Sequence, residues 1–271
     1  MLRVAIYSEK GGVNKTSLTA ALTAVAAKRG LRVVAVDLDP RATLSEELGA
    51  DGAELTLNDL LFVDPRSETL PADPAAVVGD VLVQAGAPWP ANVRVIASER
   101  ALAHREMDNT SGMEHRLARA LTGIHDADLV LMDVPPRAGG RVPAAALIAA
   151  DLVLIPAPLT TDGLIGAREG LRTIRIVSMP GGSNERLRLA GLVRSMTPRG
   201  RDRSKIHDKF DAQLMDEFGE LVLPTQIPYY VVREHARLAC EPVTAATGRE
   251  ARILVAAYDS VLDHLLKVGG A

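Results

Sequence analysis

The residues best suited by type and spacing to do chemistry are Ser8-Glu9-Lys10-Gly11-Gly12-Val13-Asn14-Lys15-Thr16-Ser17, set between an apolar run and a helix-like stretch. Paired glycines let successive backbone N–H groups turn into one concavity, and a helix start behind them adds partial positive charge. Together these suit a phosphate group. Lys15 is placed to meet the β- and γ-phosphates of a nucleotide, and the Thr16 hydroxyl to ligate Mg²⁺. The ordinary GxxxxGK[ST] loop needs glycine at positions 9 and 14, where Glu9 and Asn14 stand. The pattern that fits is KGGxxK[ST], and Asn14 is compatible with it because asparagine tolerates positive φ. Lys15 already serves the phosphates, so Lys10 calls for a different target.

Two acidic clusters follow. Asp37 and Asp39 close the run Val36-Asp37-Leu38-Asp39-Pro40-Arg41, and Asp133 closes Leu129-Val130-Leu131-Met132 ahead of Pro135-Pro136. Carboxylates at the C-terminal ends of central strands sit where doubly wound sheets bind ligands. A buried acid without a cation is expensive, so Mg²⁺ or Lys15 nearby makes sense of them.

Elements that would hold these residues are legible as short apolar, partly β-branched runs. They are Leu2–Tyr7, Leu31–Val36, Val93–Ala97, Leu129–Met132, Leu152–Ile155 and Leu189–Val193, with Leu221–Leu223 weaker. Continuous apolar runs of this length read as strands buried on both faces. Between them lie amphipathic stretches at Thr16–Arg29, Ala101–Leu121, Gly163–Ile176, Lys205–Phe218 and Arg249–Leu266. The expected class is α/β, a doubly wound, mostly parallel sheet with helices on both faces, of the P-loop NTPase type and forming one domain over residues 1–271. Gly49–Pro90, with Pro65, Pro71, Pro74, Pro88 and Pro90, reads as irregular, with one short helix near Pro74–Gln84.

Composition narrows the partners. Cys240 is the single cysteine, which excludes a disulfide framework or a cysteine-held cluster within one chain. Neither a membrane span nor a signal peptide is visible, so a cytoplasmic protein is expected. The net charge of −3 argues against nucleic acid, but it is unevenly spread. Arg186–Lys209 carries +6 over 24 residues and leaves −9 on the rest. Such a stretch can bind phosphate backbone by counterion release. With no aromatic inside it, plain backbone contact rather than base stacking is expected.

Together, the KGGxxK[ST] loop, the DxDP segment and the DxPP segment resemble the deviant Walker A ATPases of the ParA/MinD group. The resemblance runs from Met1 to about Leu266 and includes Asp151–Pro156 and Ile227-Pro228. It implies that Lys10, Gly11, Gly12, Val13, Asn14, Lys15, Thr16 and Ser17 bind ATP, with Arg194 and Pro228 near the base. It implies that Lys10 reaches the partner's nucleotide across an ATP-dependent homodimer, and that Asp39 orients the attacking water. Thr16, Asp37, Asp39 and Asp133 would surround Mg²⁺. Arg41 stands where the family usually has glutamine. For DNA, the resemblance points to Arg203 and to position 232, where Val232 stands beside Arg233. Arg199, Arg201, Arg203, Lys205 and Arg233 are therefore the expected contacts. With the loop starting at residue 10, no DNA-reading domain is expected ahead of it. The single cysteine separates the chain from cluster-binding relatives, and the last helix lacks the basic lipid-docking face of MinD-type proteins. The expected function is a DNA-partition ATPase that binds DNA without sequence preference and is released by a centromere-binding, ParB-like partner. The alternatives are a positioning ATPase for a protein cargo and a metabolic ligase of the same superfamily.

Overall fold

The computed structural model describes residues 1–64, 66, 67 and 69–270; Pro65, counted among the prolines above, lies outside them. Strands β1 (Leu2–Ile6), β2 (Val33–Asp37), β3 (Leu82–Gln84), β4 (Val93–Ile96), β5 (Leu129–Asp133), β6 (Leu152–Pro158), β7 (Arg188–Thr197) and β8 (Val222–Pro228) form one sheet. Its order is β3-β4-β2-β5-β1-β6-β7-β8. Every pair is parallel except β3 with β4, which closes one edge antiparallel.

The sheet is buried on both faces, as the apolar runs predict. Residues of one parity, such as Ala5, Tyr7, Val36 and Met132, face a layer containing α5 (Arg116–Leu121), α6 (Arg141–Ala149), α7 (Thr161–Ser178) and α8 (Lys205–Phe218). The other parity, such as Val4, Ile6, Ala35 and Leu131, faces α1 (Lys15–Lys28) and α10 (Arg249–Gly269). Alternation across the pleat produces both layers from one set of runs. Packed on the sheet beside α10, with α2 and the 243–245 turn also against it, α1 buries nearly its whole circumference, which its alanine-rich sequence permits. The α10 stripe of Leu254, Tyr258, Val261, Leu262 and Leu265 is core packing. No helix among the described residues is long and apolar enough to cross a membrane.

Differences from the sequence reading have local causes. Ala101–Leu121 is two 3-10 segments, Arg100–Met107 and Met113–His115, followed by α5. The turn-forming run Asp108-Asn109-Thr110-Ser111-Gly112 interrupts it, with Gly112 at φ 78°. Pro74–Gln84 holds only α4 (Pro74–Val77), a 3-10 turn and then β3. The short helices α2 (Thr43–Glu47), α3 (Leu57–Leu61) and α9 (Val231–Leu238), together with α6, have no period long enough to read. Pro143 sits in the first turn of α6, where proline is tolerated.

Candidate nucleotide site

Four central strands, β2, β5, β1 and β6, present their C-terminal ends together, and the 10–17 loop leaves β1 between them. Asn14 takes φ 79° at the N-cap of α1, and Gly12 takes φ 72°. Asparagine thus adopts the left-handed turn that glycine usually supplies here. Lys15 is buried and its Nζ donates to the Lys10 carbonyl at 2.9 Å, closing the loop on itself. Burial pushes the Lys15 ammonium down to about 8, against the attraction of Asp133 and Asp39. The charges expected to share the site are therefore close enough to act on one another.

Register brings the acids together: Asp37 and Asp133 are direct partners across β2 and β5. Their environments then separate them. Asp37 accepts from the Asp39 backbone N–H at 3.0 Å and from both the N–H and hydroxyl of Ser45 at 2.8 Å. Its carboxylate thus braces the turn into α2, a role that differs from the expected metal contact. Asp133 accepts from Thr16 Oγ1 at 2.6 Å through Oδ2, while its buried Oδ1 has no partner. That orphaned oxygen and the threonine hydroxyl are two of the hard oxygen ligands Mg²⁺ takes, its other positions being suited to water and phosphate oxygens, so a Thr/Asp pair fits it. Asp39 is half-buried, with Oδ1 accepting from the Arg41 N–H at 3.0 Å.

Burial raises the Asp37 carboxyl to about 6, against its hydrogen bonds, and raises Asp133 well above the ordinary range, with the Asp37 charge adding to it. Between about pH 4 and 6 the folded chain retains on Asp37 a proton that the unfolded chain has released, and buried Asp133 shifts in the same direction. These groups therefore lower stability as pH rises through that window. Asp133→Asn removes one buried charge, so without nucleotide its Tm at pH 7 is expected to rise by about 2–4 °C, the shift of roughly 1 kcal/mol at this size. A thermal melt against pH checks this; a Tm that falls would show that Lys15 already compensates Asp133.

The Lys10 side chain is directed to α7 rather than to the loop its backbone helps to form. Its Nζ pairs with Glu169 on α7 at 3.3 Å. Glu9 is held by the same helix through Thr173 Oγ1 at 2.6 Å. Gly166 allows this approach, since a Cβ there would lie 2.8 Å from Ser8 Oγ and 3.2 Å from Lys10 Cγ.

The remaining expected residues divide. Arg194 is buried, with its terminal nitrogens donating to Asp211 and to the Leu223 and Pro224 carbonyls and its Nε left without a partner. Pro228 lines a cavity of about 340 Å³ with Thr197 and Gln226. Arg233 is no surface contact: it is buried on α9, pairs with Glu47 at 2.7 Å and donates to the Ser17 carbonyl. The helical register turns Arg233 and Ala236 inward together. The basic stretch is also divided. Ten residues of β7 set Arg186 and Arg188 at the opposite end of the sheet from Arg199, roughly 30 Å away at about 3.3 Å per residue. Arg203 is tied to Asp208 at 2.7 Å and Asp211 at 2.8 Å, which offsets its charge. Arg199, Arg201, Lys205 and Lys209 form no salt bridge among the described residues. Ser45, Glu169 and Ser195, whose hydroxyl donates to the Val13 carbonyl at 3.1 Å, support the site without any sequence signal.

A doubly wound sheet carrying this loop and these acids defines a P-loop nucleotide-binding protein. A family model described as an AAA domain matches residues 1–189, and the chain belongs to that family, in its ParA/MinD group of ATPases. It is 33% identical over 235 residues to the chromosome-partitioning ATPase Soj of Thermus thermophilus, covering 83% of this chain and 80% of that one. Among solved structures, cobyrinic acid a,c-diamide synthase from Mycobacterium smegmatis with bound ADP and magnesium superposes with a TM-score of 0.75 at 27% identity. That match covers 98% of this chain and 94% of the synthase. The ATP complex of a McdA variant from Cyanothece shares the fold, with a TM-score of 0.81 at 21% identity over 98% of this chain and 96% of that one.

Proposed function

We propose that this chain is a DNA-partition ATPase: it binds ATP with Mg²⁺, dimerises, coats DNA without sequence preference, and is released when a ParB-like partner stimulates hydrolysis. The observation that carries this reading is Lys10, a cation next to the phosphate loop that pairs with Glu169 rather than turning into the loop. A second chain's nucleotide would give it a stronger partner, and that gain exists only in the dimer. There it would neutralise charge developing during phosphoryl transfer, as an arginine finger does.

Within one chain, the 10–17 backbone and Lys15 hold the phosphates, and Asp39 orients the water. Bound Mg²⁺, held by Thr16 and Asp133, would offset phosphate charge. Asp37 fixes the segment that carries Asp39. Pro228 contacts the base. Arg199, Arg201, Lys205 and Lys209 meet the DNA backbone, and two such faces in a dimer bind more tightly than one. ATP-bound dimers then associate with the nucleoid.

Arg201→Glu with Lys205→Glu should weaken DNA binding about 10–100-fold and flatten its salt dependence, while ATPase activity without DNA stays unchanged. DNA affinity unaltered by this double reversal would remove the cluster from the mechanism. The likeness to the synthase favours a second reading, a metabolic ligase, whose ATP turnover would not respond to DNA and a partner protein.

A further inference from the structure

Two buried ionisable residues take no part in the chemistry above: Glu47 on α2 and Arg233 on α9, 2% and 5% exposed. Arg233 Nη2 pairs with Glu47 Oε1 at 2.7 Å. The same guanidinium donates to the Ser17 carbonyl, from Nε at 3.4 Å and from Nη2 at 3.3 Å. Ser17 lies in the first turn of α1, two positions beyond Lys15. One side chain therefore fastens α2 to the helix behind the phosphate loop. Two positions before Glu47, Ser45 donates its N–H and hydroxyl to Asp37, which in turn accepts from the Asp39 N–H. The Trp89 indole N–H donates to the Glu47 carbonyl at 2.9 Å and to the Cys240 carbonyl at 3.0 Å, tying the end of α2 to the segment after α9.

We propose that Glu47 and Arg233 are positioning residues for hydrolysis: their pair sets Asp39 against the phosphates by holding α2 in register with the first turn of α1. This rests on the ATPase reading above and specifies what fixes the water-orienting segment. Three features support it. In a five-residue helix the cost of nucleation exceeds what so few hydrogen bonds return, so tertiary fastenings decide where α2 lies. The pair is poorly built for stability alone, because Glu47 Oε2 and Arg233 Nη1 are buried without a partner. Apolar side chains of similar volume often replace such a pair without loss of stability. What the ions add is direction: a guanidinium fork meets a carboxylate and a carbonyl in one geometry, whereas apolar packing is non-directional. Turnover is sensitive to that geometry, since a misplacement of about 1 Å at a reacting group costs on the order of 100-fold.

The test measures hydrolysis by the full chain at saturating ATP and Mg²⁺, with affinity for a non-hydrolysable ATP analogue and Tm read on the same samples. Glu47→Gln is expected to lower kcat on the order of tenfold while analogue affinity stays within about twofold, since the phosphate loop itself is unaltered. Arg233→Lys keeps the charge but loses the fork, and should lose turnover similarly. Glu47→Leu with Arg233→Met removes both charges: Tm should return to the wild-type value, and kcat should not. Recovery of kcat together with Tm would make the pair packing alone and overturn the proposal. So would a wild-type kcat in Glu47→Gln, the nearly isosteric variant that decides the question if the double variant does not fold. A loss of analogue affinity as large as the loss of turnover would also overturn it, assigning the pair to nucleotide binding. Absence of turnover in the wild-type chain would overturn the ATPase reading itself.

Discussion

Lys15→Ala abolishes nucleotide binding, with affinity for a non-hydrolysable ATP analogue falling at least about 100-fold. The magnitude follows from where the side chain sits. Lys15 is 7% exposed and its Nζ lies beside the loop, held by the Lys10 carbonyl at 2.9 Å. A charge so desolvated interacts with phosphate far more strongly than a surface lysine would. Burial lowers its affinity for a proton, and a phosphate anion beside it favours the charged form. Calorimetric titration reads the loss, and a thermal melt shows that the fold persists. Retained affinity would mean that the backbone amides and the α1 N-terminus suffice.

Asp39→Ala separates assembly from turnover. Hydrolysis should fall at least about 100-fold while ATP-dependent dimers still form on a sizing column. Asp39 carries no structural load comparable to that of Asp37, whose carboxylate accepts three hydrogen bonds; Asp39 accepts one local bond from the Arg41 N–H. The expected outcome thus depends on a division of labour between two acids two positions apart, on either side of Leu38. Asp37→Ala should instead destabilise the chain, because the Ser45 N–H and hydroxyl lose a buried acceptor. If Asp39→Ala turns over normally, the water must be oriented by another group.

How much of this was legible in the sequence depends on range. The phosphate loop, the DxDP and DxPP segments and the strands other than β3 are local patterns that the structure places near where they were read, down to Asn14 in a left-handed turn. Residues whose role depends on a distant partner were not legible. Arg233 reads in sequence as a DNA contact and Arg194 as a neighbour of the base, and only the packing of Glu47 and Asp211 against them reveals buried pairs. The +6 of the basic stretch was read as one patch because it is contiguous, but a ten-residue strand carries its two ends apart. Conversely, Tyr230 joins Arg199 across 31 positions, a proximity no window on the basic stretch contains. Short helices such as α2 and α9 escape because one or two turns show too little period.

DNA binding by the wild-type chain in Mg²⁺, with ATP and with ADP across a salt series, tests the central claim most directly. The account predicts binding with ATP that weakens steeply as salt rises, and binding at least about tenfold weaker with ADP at every salt concentration. Equal affinity in the two nucleotides, or no binding in either, would contradict it.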